Sequence, residues 1–253
     1  MNDLLNAYRA VHEQGFMPIF VDDGFEPKML VEACVDAGMK CIEYTQRKPD
    51  SDKMIPWIRE QYPDLWLLVG STIDDEKIVR ERRRQFPNLL TIAELEAFAP
   101  AGYVSMLGWS EQSIKKYCGH RIVIPSSSTA NDAFTQTGWG GHFVKLNGFN
   151  PEMVKRLRAP AAFDYCPIMA VGGMTPERIP EAVQAGAVLA GSGFDMSLKG
   201  EPKDISGKKV AEIMKRHLEA TRAARAAKWP AMDKAIGGDL KTWLNSLPHY
   251  HPF

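Results

Sequence analysis

Lys145 lies in the run His142-Phe143-Val144-Lys145-Leu146-Asn147-Gly148, a lysine inside an otherwise apolar strand. A strand covered on both faces reads as nearly continuous Val, Ile, Leu and Phe, so an amine placed there must be neutralised, paired or used. Its best use is as a nucleophile that forms a Schiff base, because burial depresses an amine's pKa and frees its lone pair. A second polar set ends another apolar run, Glu43-Tyr44-Thr45-Gln46-Arg47. Strand alternation puts Glu43, Thr45 and Arg47 on one face. Alone, Glu43 and Arg47 would read as an ion pair. With Lys145 on another strand of the same sheet they read as a proton-transfer carboxylate and an anion-binding guanidinium. Val69-Gly70-Ser71-Thr72 offers a small hydroxyl and close backbone approach, and Pro125-Ser126-Ser127-Ser128-Thr129 offers hydroxyls that could equally cap a helix. Val171-Gly172-Gly173-Met174 and Ala190-Gly191-Ser192-Gly193 place glycines where backbone N–H groups can approach an anion.

These groups must be positioned by the elements around them. Short apolar runs at 17–21, 40–44, 66–70, 103–107, 121–125, 142–146, 168–171 and 187–190 alternate with amphipathic stretches, among them 26–37, 76–85 and 178–185. Turn or capping residues stand between them, such as Asp22-Asp23-Gly24, Asp74-Asp75 and Thr175-Pro176-Glu177. Eight β-then-α units are what a (β/α)8 TIM barrel requires, and such barrels build their chemistry at the strand ends, with the common phosphate site after strands seven and eight. An open doubly wound sheet is the competing topology; no Gly-x-Gly-x-x-Gly turn follows the first strand to support it. Residues 1–200 are expected to form the barrel. Residues 201–253 are expected to form a C-terminal helical extension, with a helix over 210–228, packed on the barrel or on a neighbouring subunit. The stretch 86–100 inserts an extra short helix.

Composition narrows the classes. The 253 residues, 45% of them hydrophobic, suffice for one large core, and 31 basic residues balance 31 acidic ones. No global field steers the chain to nucleic acid or to an anionic membrane, so any anion must be bound locally. The basic run Arg80-Glu81-Arg82-Arg83-Arg84 reads as a solvated helix face. Cys34, Cys41, Cys118 and Cys166 have no metal-ligand spacing and read as reduced, structural thiols. No metal site is expected, because no His/Glu/Asp cluster falls on the strand ends, and His249-Tyr250-His251 reads as part of a packed tail. The N-terminus lacks a signal-peptide pattern and no apolar run reaches about 18 residues, so a cytoplasmic protein is expected.

Taken together, the strand ends resemble a family, the class I 2-keto-3-deoxy-6-phosphogluconate / 4-hydroxy-2-oxoglutarate (KDPG/KHG) aldolases, over roughly residues 15–200. The resemblance rests on Ile42-Glu43-Tyr44-Thr45-Gln46-Arg47, which looks like that family's "(L/I)-E-x-T-x-R", and on Val69-Gly70-Ser71-Thr72, Ile124-Pro125, Phe143-Val144-Lys145, and Gly172-Gly173 followed by Gly191-Ser192. It implies that Lys145 forms the Schiff base with pyruvate and that Glu43 is the acid/base. Arg47 and Thr72 would hold the keto-acid carboxylate, with Thr45 and Pro125 beside them. Gly172, Gly173, Gly191 and Ser192 would bind a distal phosphate. No cofactor is implied; a homotrimer is. The chain departs from the family's pattern at Ser105-Met106-Leu107-Gly108, Pro125-Ser126, Lys145-Leu146-Asn147-Gly148 and Val171-Gly172-Gly173. These departures leave the reacting groups in place and alter the walls facing the aldehyde half.

Two other functions compete. In a phosphate-binding barrel that isomerises or epimerises without a covalent intermediate, Lys145 would be an electrostatic partner of an enolate. In a non-catalytic binding protein, the amine in the barrel core would have no task.

Overall fold

The computed structural model describes residues 2–21, 23–158 and 165–253, so Asp22 of the first expected turn lies outside the described residues. The strands are β1 (Phe16–Phe20), β2 (Cys41–Thr45), β3 (Trp66–Thr72), β4 (Gly102–Ser105), β5 (Ile122–Ile124), β6 (Ser126–Ser127), β7 (Val144–Asn147), β8 (Ile168–Val171) and β9 (Leu189–Gly193). All pair in parallel, in the order β5-β4-β3-β2-β1-β9-β8-β7-β6. β5 and β6 are two halves of one barrel strand interrupted at Pro125, a residue with no N–H to give to a ladder. β5 pairs with β4 and β6 with β7. Hydrogen bonds from His142 N to Val123 O and from Lys145 N to Pro125 O, both 2.8 Å, carry the pairing across the seam. The result is the expected eight-stranded barrel, with its fifth strand split in two.

The helices are α1 (Asn2–Gln14), α2 (Pro27–Asp36), α3 (Ser51–Gln61), α4 (Glu76–Arg82), α5 (Ile92–Leu95), α6 (Glu111–Tyr117), α7 (Ala130–Gly138), α8 (Pro151–Arg158), α9 (Ile179–Ala185), α10 (Phe194–Ser197), α11 (Gly207–Lys228), α12 (Pro230–Ala235) and α13 (Leu240–Ser246). Their starts follow local chemistry. Glu26 accepts from Lys28 N and Met29 N ahead of α2, whose first residue is a proline, and Thr129 and Asp132 close a capping box on α7. Among the described residues no helix is long and apolar enough to cross a membrane.

Strand alternation divides the core in two. Ile42, Tyr44, Leu67, Val69, Tyr103, Val144, Leu146, Ile168 and Ala170 face outward into the layer beneath the helices. Met17, Ile19, Cys41, Leu68, Val104, Ile122, Ile124, Phe143, Met169 and Leu189 fill the barrel interior. Leu4, Ala7, Tyr8 and Val11 of α1 join the interior set and close the barrel's N-terminal end. The tail covers that end too: Trp243 is fully buried, edge-on to Tyr8 and His12, and Phe253 packs on Tyr8.

The structure moves several strand ends; β4, for one, stops at Ser105 rather than 107. β3 runs on to Thr72 and β7 to Asn147, while β9 extends to Gly193, so Gly191 and Ser192 lie within a strand rather than after it. The insertion at 86–100 forms α5 and a 3-10 turn at Glu96–Phe98. It is fastened to the loop after β2: Gln46 Nε2 donates to Leu90 O at 3.2 Å, Leu90 N donates to Gln46 Oε1 at 2.6 Å, and Asn88 donates to Pro49 O.

Candidate active site

Lys145 and Glu43 lie on the interior face, one step toward the C-terminal mouth from Phe143 and Cys41. Both are almost completely buried. Burial drives the Lys145 amine below the ordinary lysine range; the nearby Glu43 charge works against that shift and Arg47 adds to it. Burial pushes the Glu43 carboxyl upward against the opposing pull of Lys145 and Arg47. Each group is therefore moved toward its neutral form, while each still senses the other's charge. Glu43 Oε2 is buried with no hydrogen-bond partner. Gly70 makes room for this carboxylate: a Cβ there would lie 2.2 Å from Glu43 Oε1.

Thr45, the next interior position on β2, is buried with its Oγ1 also unpartnered. Arg47 stands in the turn beyond β2, where it is exposed. Its Nε donates to Ser71 Oγ at 2.9 Å, a contact that leaves the two terminal nitrogens to serve as a fork for an anion. Ser71 reaches Arg47 through an irregularity in β3, where the pairing with β4 shifts register between Val69 and Thr72. At that bulge Ser71 adopts φ 59°, a left-handed conformation rare for a residue with a Cβ. The sequence reading missed Ser71; the only available signal was its place between Gly70 and Thr72.

Thr72 sits differently from its expected role. Its hydroxyl donates to Val104 O at 3.0 Å, so that proton is committed to the neighbouring strand and the oxygen is left as an acceptor. Pro125 acts through its carbonyl, which accepts the Lys145 N–H and fixes the lysine's height in the barrel. Gly172 and Gly173 have φ 124° and 63°, values that a side chain would oppose. Arg178 Nη1 donates to both of their carbonyls, at 3.2 and 3.1 Å, bringing a guanidinium unforeseen from sequence beside the expected anion site. Gly191 gives space to the Met169 methyl, and the buried Ser192 hydroxyl donates to Gly193 O at 3.4 Å.

A polar wall rises on the other side of Lys145. Ser126 pairs with Lys145 across the seam, and Ser126 N donates to Ser105 Oγ at 2.7 Å. Asn147, two residues along β7, donates from Nδ2 to Ser126 Oγ at 2.7 Å. Behind the wall, Gln136 holds Ser127 Oγ and Ser126 O.

Fold and site together define a (β/α)8 barrel with a buried amine and a buried carboxylate at the end of the barrel where such folds build their chemistry. No protein-family model matches the chain. The 2-dehydro-3-deoxy-6-phosphogalactonate aldolase of Escherichia coli (strain K12) is 26% identical over 196 residues, covering 76% of this chain and 88% of that protein. The native KDPGal structure is 24% identical with a TM-score of 0.62, over 83% of this chain and 95% of that one. Thiamine phosphate pyrophosphorylase from Pyrococcus furiosus, at 14% identity, has a TM-score of 0.58 over 83% of this chain and 98% of its own. The barrel alone therefore does not select the chemistry. The sequence likeness to the Escherichia coli aldolase agrees with the resemblance to the KDPG/KHG aldolases and supports an aldolase activity.

Proposed function

We propose that the protein is a Schiff-base aldolase that cleaves or forms a 2-keto-4-hydroxy acid, giving pyruvate and an aldehyde. The substrate would be 2-keto-3-deoxy-6-phosphogluconate or a close relative such as its galactonate isomer. One observation carries this reading: an amine and a carboxylate share the barrel interior, and burial moves both toward the neutral state.

Neutral Lys145 attacks the C2 ketone, and the protonated Glu43 carboxyl gives its proton to the departing hydroxyl, so that loss of water leaves an iminium and a Glu43 carboxylate. This fixed cation beside Glu43 favours the carboxylate, which takes the proton of the C4 hydroxyl. The C3–C4 bond breaks, its electron pair enters the enamine, and the aldehyde leaves. Glu43 returns the proton to C3, and hydrolysis of the iminium releases pyruvate. The Arg47 fork, steadied by Ser71, meets the C1 carboxylate, and Thr45 lies between it and Glu43. Gly172, Gly173, Gly191 and Ser192, with Arg178, would receive a distal phosphate. The same reading makes the protein a cytoplasmic homotrimer, and a monomeric mass in solution would count against the trimer.

The test is reduction with borohydride in the presence of pyruvate, followed by intact mass. Wild type should gain one reduced pyruvyl group on Lys145 and Lys145→Ala none. Glu43→Gln should still trap pyruvate while turnover falls by about 10²–10⁴-fold. Wild-type protein that remains unlabelled while still transforming a phosphorylated substrate would instead support the non-covalent barrel.

A further inference from the structure

We propose a second ligand site at the base of the barrel, in the cavity between α1, α11 and α12, that binds a small 2-hydroxy carboxylic acid with an apolar body. The site stands whether or not Lys145 forms a Schiff base.

The cavity has a volume of about 380 Å³, within the range of small-molecule sites. It opens where strands begin: Lys40, just ahead of β2, and Trp66, the first residue of β3, stand on its wall. Glu43 and Lys145 lie further along their strands toward the opposite end, so an occupant here does not meet the substrate. Trp66, Leu218 and Ile236 supply apolar walls for the body of a ligand.

Two side chains in the lining are left unsatisfied. Arg225 of α11 is 3% exposed, and among the described residues it forms no ion pair. Its Nη1 donates to His12 O at 2.6 Å, its Nη2 meets His12 Nδ1 at 3.2 Å and Met232 Sδ at 3.4 Å, and its Nε has no partner. Burial lowers its pKa to about 10 against the opposing charges of Asp233 and Glu13, which leaves the guanidinium charged at neutral pH. A buried cation without a bonded anion is costly. Asp233 Oδ1 is also buried without a hydrogen bond, and Arg222 Nε stands 3.9 Å from it, beyond hydrogen-bond reach. A ligand carboxylate answers the unused donor of Arg225, and a hydroxyl beside that carboxylate answers the unused acceptor of Asp233. Charge decides between a hydroxyl and an amine at that position. The lining holds the cations Arg9, Lys40, Arg222 and Arg225 against the carboxylates Glu13 and Asp233, and Arg9 already pairs with Glu13 at 2.8 Å. This surplus of positive charge favours an anion over a zwitterion. Arg225 also holds His12, which meets His249 of the tail at 2.9 Å, so a ligand on Arg225 would fasten the base of the barrel.

Calorimetric titration and thermal melts of the full chain with 2-hydroxy-4-methylpentanoate test the site. Wild type should bind one equivalent, with a Tm that rises with ligand concentration. 4-Methylpentanoate, which lacks the hydroxyl, and L-leucine, a zwitterion, should each bind about three- to tenfold more weakly. Asp233→Ala should bring the ratio of hydroxy acid to 4-methylpentanoate affinity toward one, and Arg225→Met should weaken the hydroxy acid by about tenfold or more. Ile236→Trp, at a half-buried lining position, should abolish binding by filling the cavity, and it decides the matter if Arg225→Met fails to fold. Arg47→Met should bind as wild type does. No binding to wild type at about 10 mM ligand overturns the site. So does binding that is lost in Arg47→Met, that is unchanged in folded Arg225→Met or Ile236→Trp, or that 4-methylpentanoate or leucine matches.

Discussion

At the scale of single residues, what decides this site is the environment given to two side chains. A buried Glu43 without a full set of partners is costly, and β3 accommodates it by omitting a side chain at Gly70. Gly70→Ala would force the carboxylate aside. A misplacement of about 1 Å in a reacting group can cost about 10²-fold, so turnover should fall by that order, with a stability loss of about 1–3 kcal/mol from overpacking. Steady-state kinetics and urea unfolding check this; unchanged turnover in the folded variant would show that Glu43 has latitude the mechanism does not allow. The sequence made Lys145 and Glu43 legible because a charge in an apolar strand is an anomaly, and Arg47 because it continues the alternation of Glu43 and Thr45. Ser71, Arg178 and Asn147 carried no such mark, since a serine in a turn, an exposed arginine and an asparagine at a strand end are ordinary.

At the scale of elements, the bulge in β3 links backbone strain to the arginine proposed to hold the substrate. Ser71 at φ 59° costs about 1–2 kcal/mol relative to an ordinary conformation, yet it delivers the oxygen that holds Arg47 Nε. Ser71→Gly should keep or slightly raise stability by relieving that strain, while KM for the keto acid rises about three- to tenfold as Arg47 loses its anchor. Thermal melts and initial rates separate the two effects, and a fall in stability with KM unchanged would place Ser71 outside substrate binding. The rhythm of strands was legible because apolar runs of about five residues recur between caps. The exact ends were not: the split at Pro125, the extension of β9 and the fastening of 86–100 to Gln46 all depend on neighbours distant in sequence.

At the scale of the whole molecule, the barrel's base is a buried aromatic and histidine cluster in which both ends of the chain pack on β7's approach. His142 is fully buried among Tyr8, Phe143 and Phe253, and its Nδ1 accepts from Val123 N at 3.1 Å. Burial lowers its pKa to about 3. His12, held by Arg225 and touching His249, is likewise pushed well down, by burial first and then by the charges of Arg225, His249 and His251. A histidine whose folded pKa lies below its unfolded value leaves stability flat above about pH 6.5; below that the unfolded chain gains the proton first and stability falls. Each such group contributes a slope of up to about 1.4 kcal/mol per pH unit. His142→Asn, which retains an acceptor for Val123 N, should therefore lose less stability than wild type between pH 7.5 and 5.5. Urea titrations at the two values measure this, and equal slopes would show that His142 titrates normally.

The sequence by itself determined the barrel's rhythm, the division between inward and outward faces, and the chemistry available at the strand ends, because periodicity and misplaced charge are local properties. Only the tertiary structure decided that Lys145 and Glu43 share one buried space, that Ser71 steers Arg47, that Asn147 meets Ser126, and that the tail closes the base of the barrel. Pairing of neighbouring strands makes the second and third of these contacts, and closure of the barrel through the strand broken at Pro125 makes the first, bringing together residues that no spacing along the chain could place side by side.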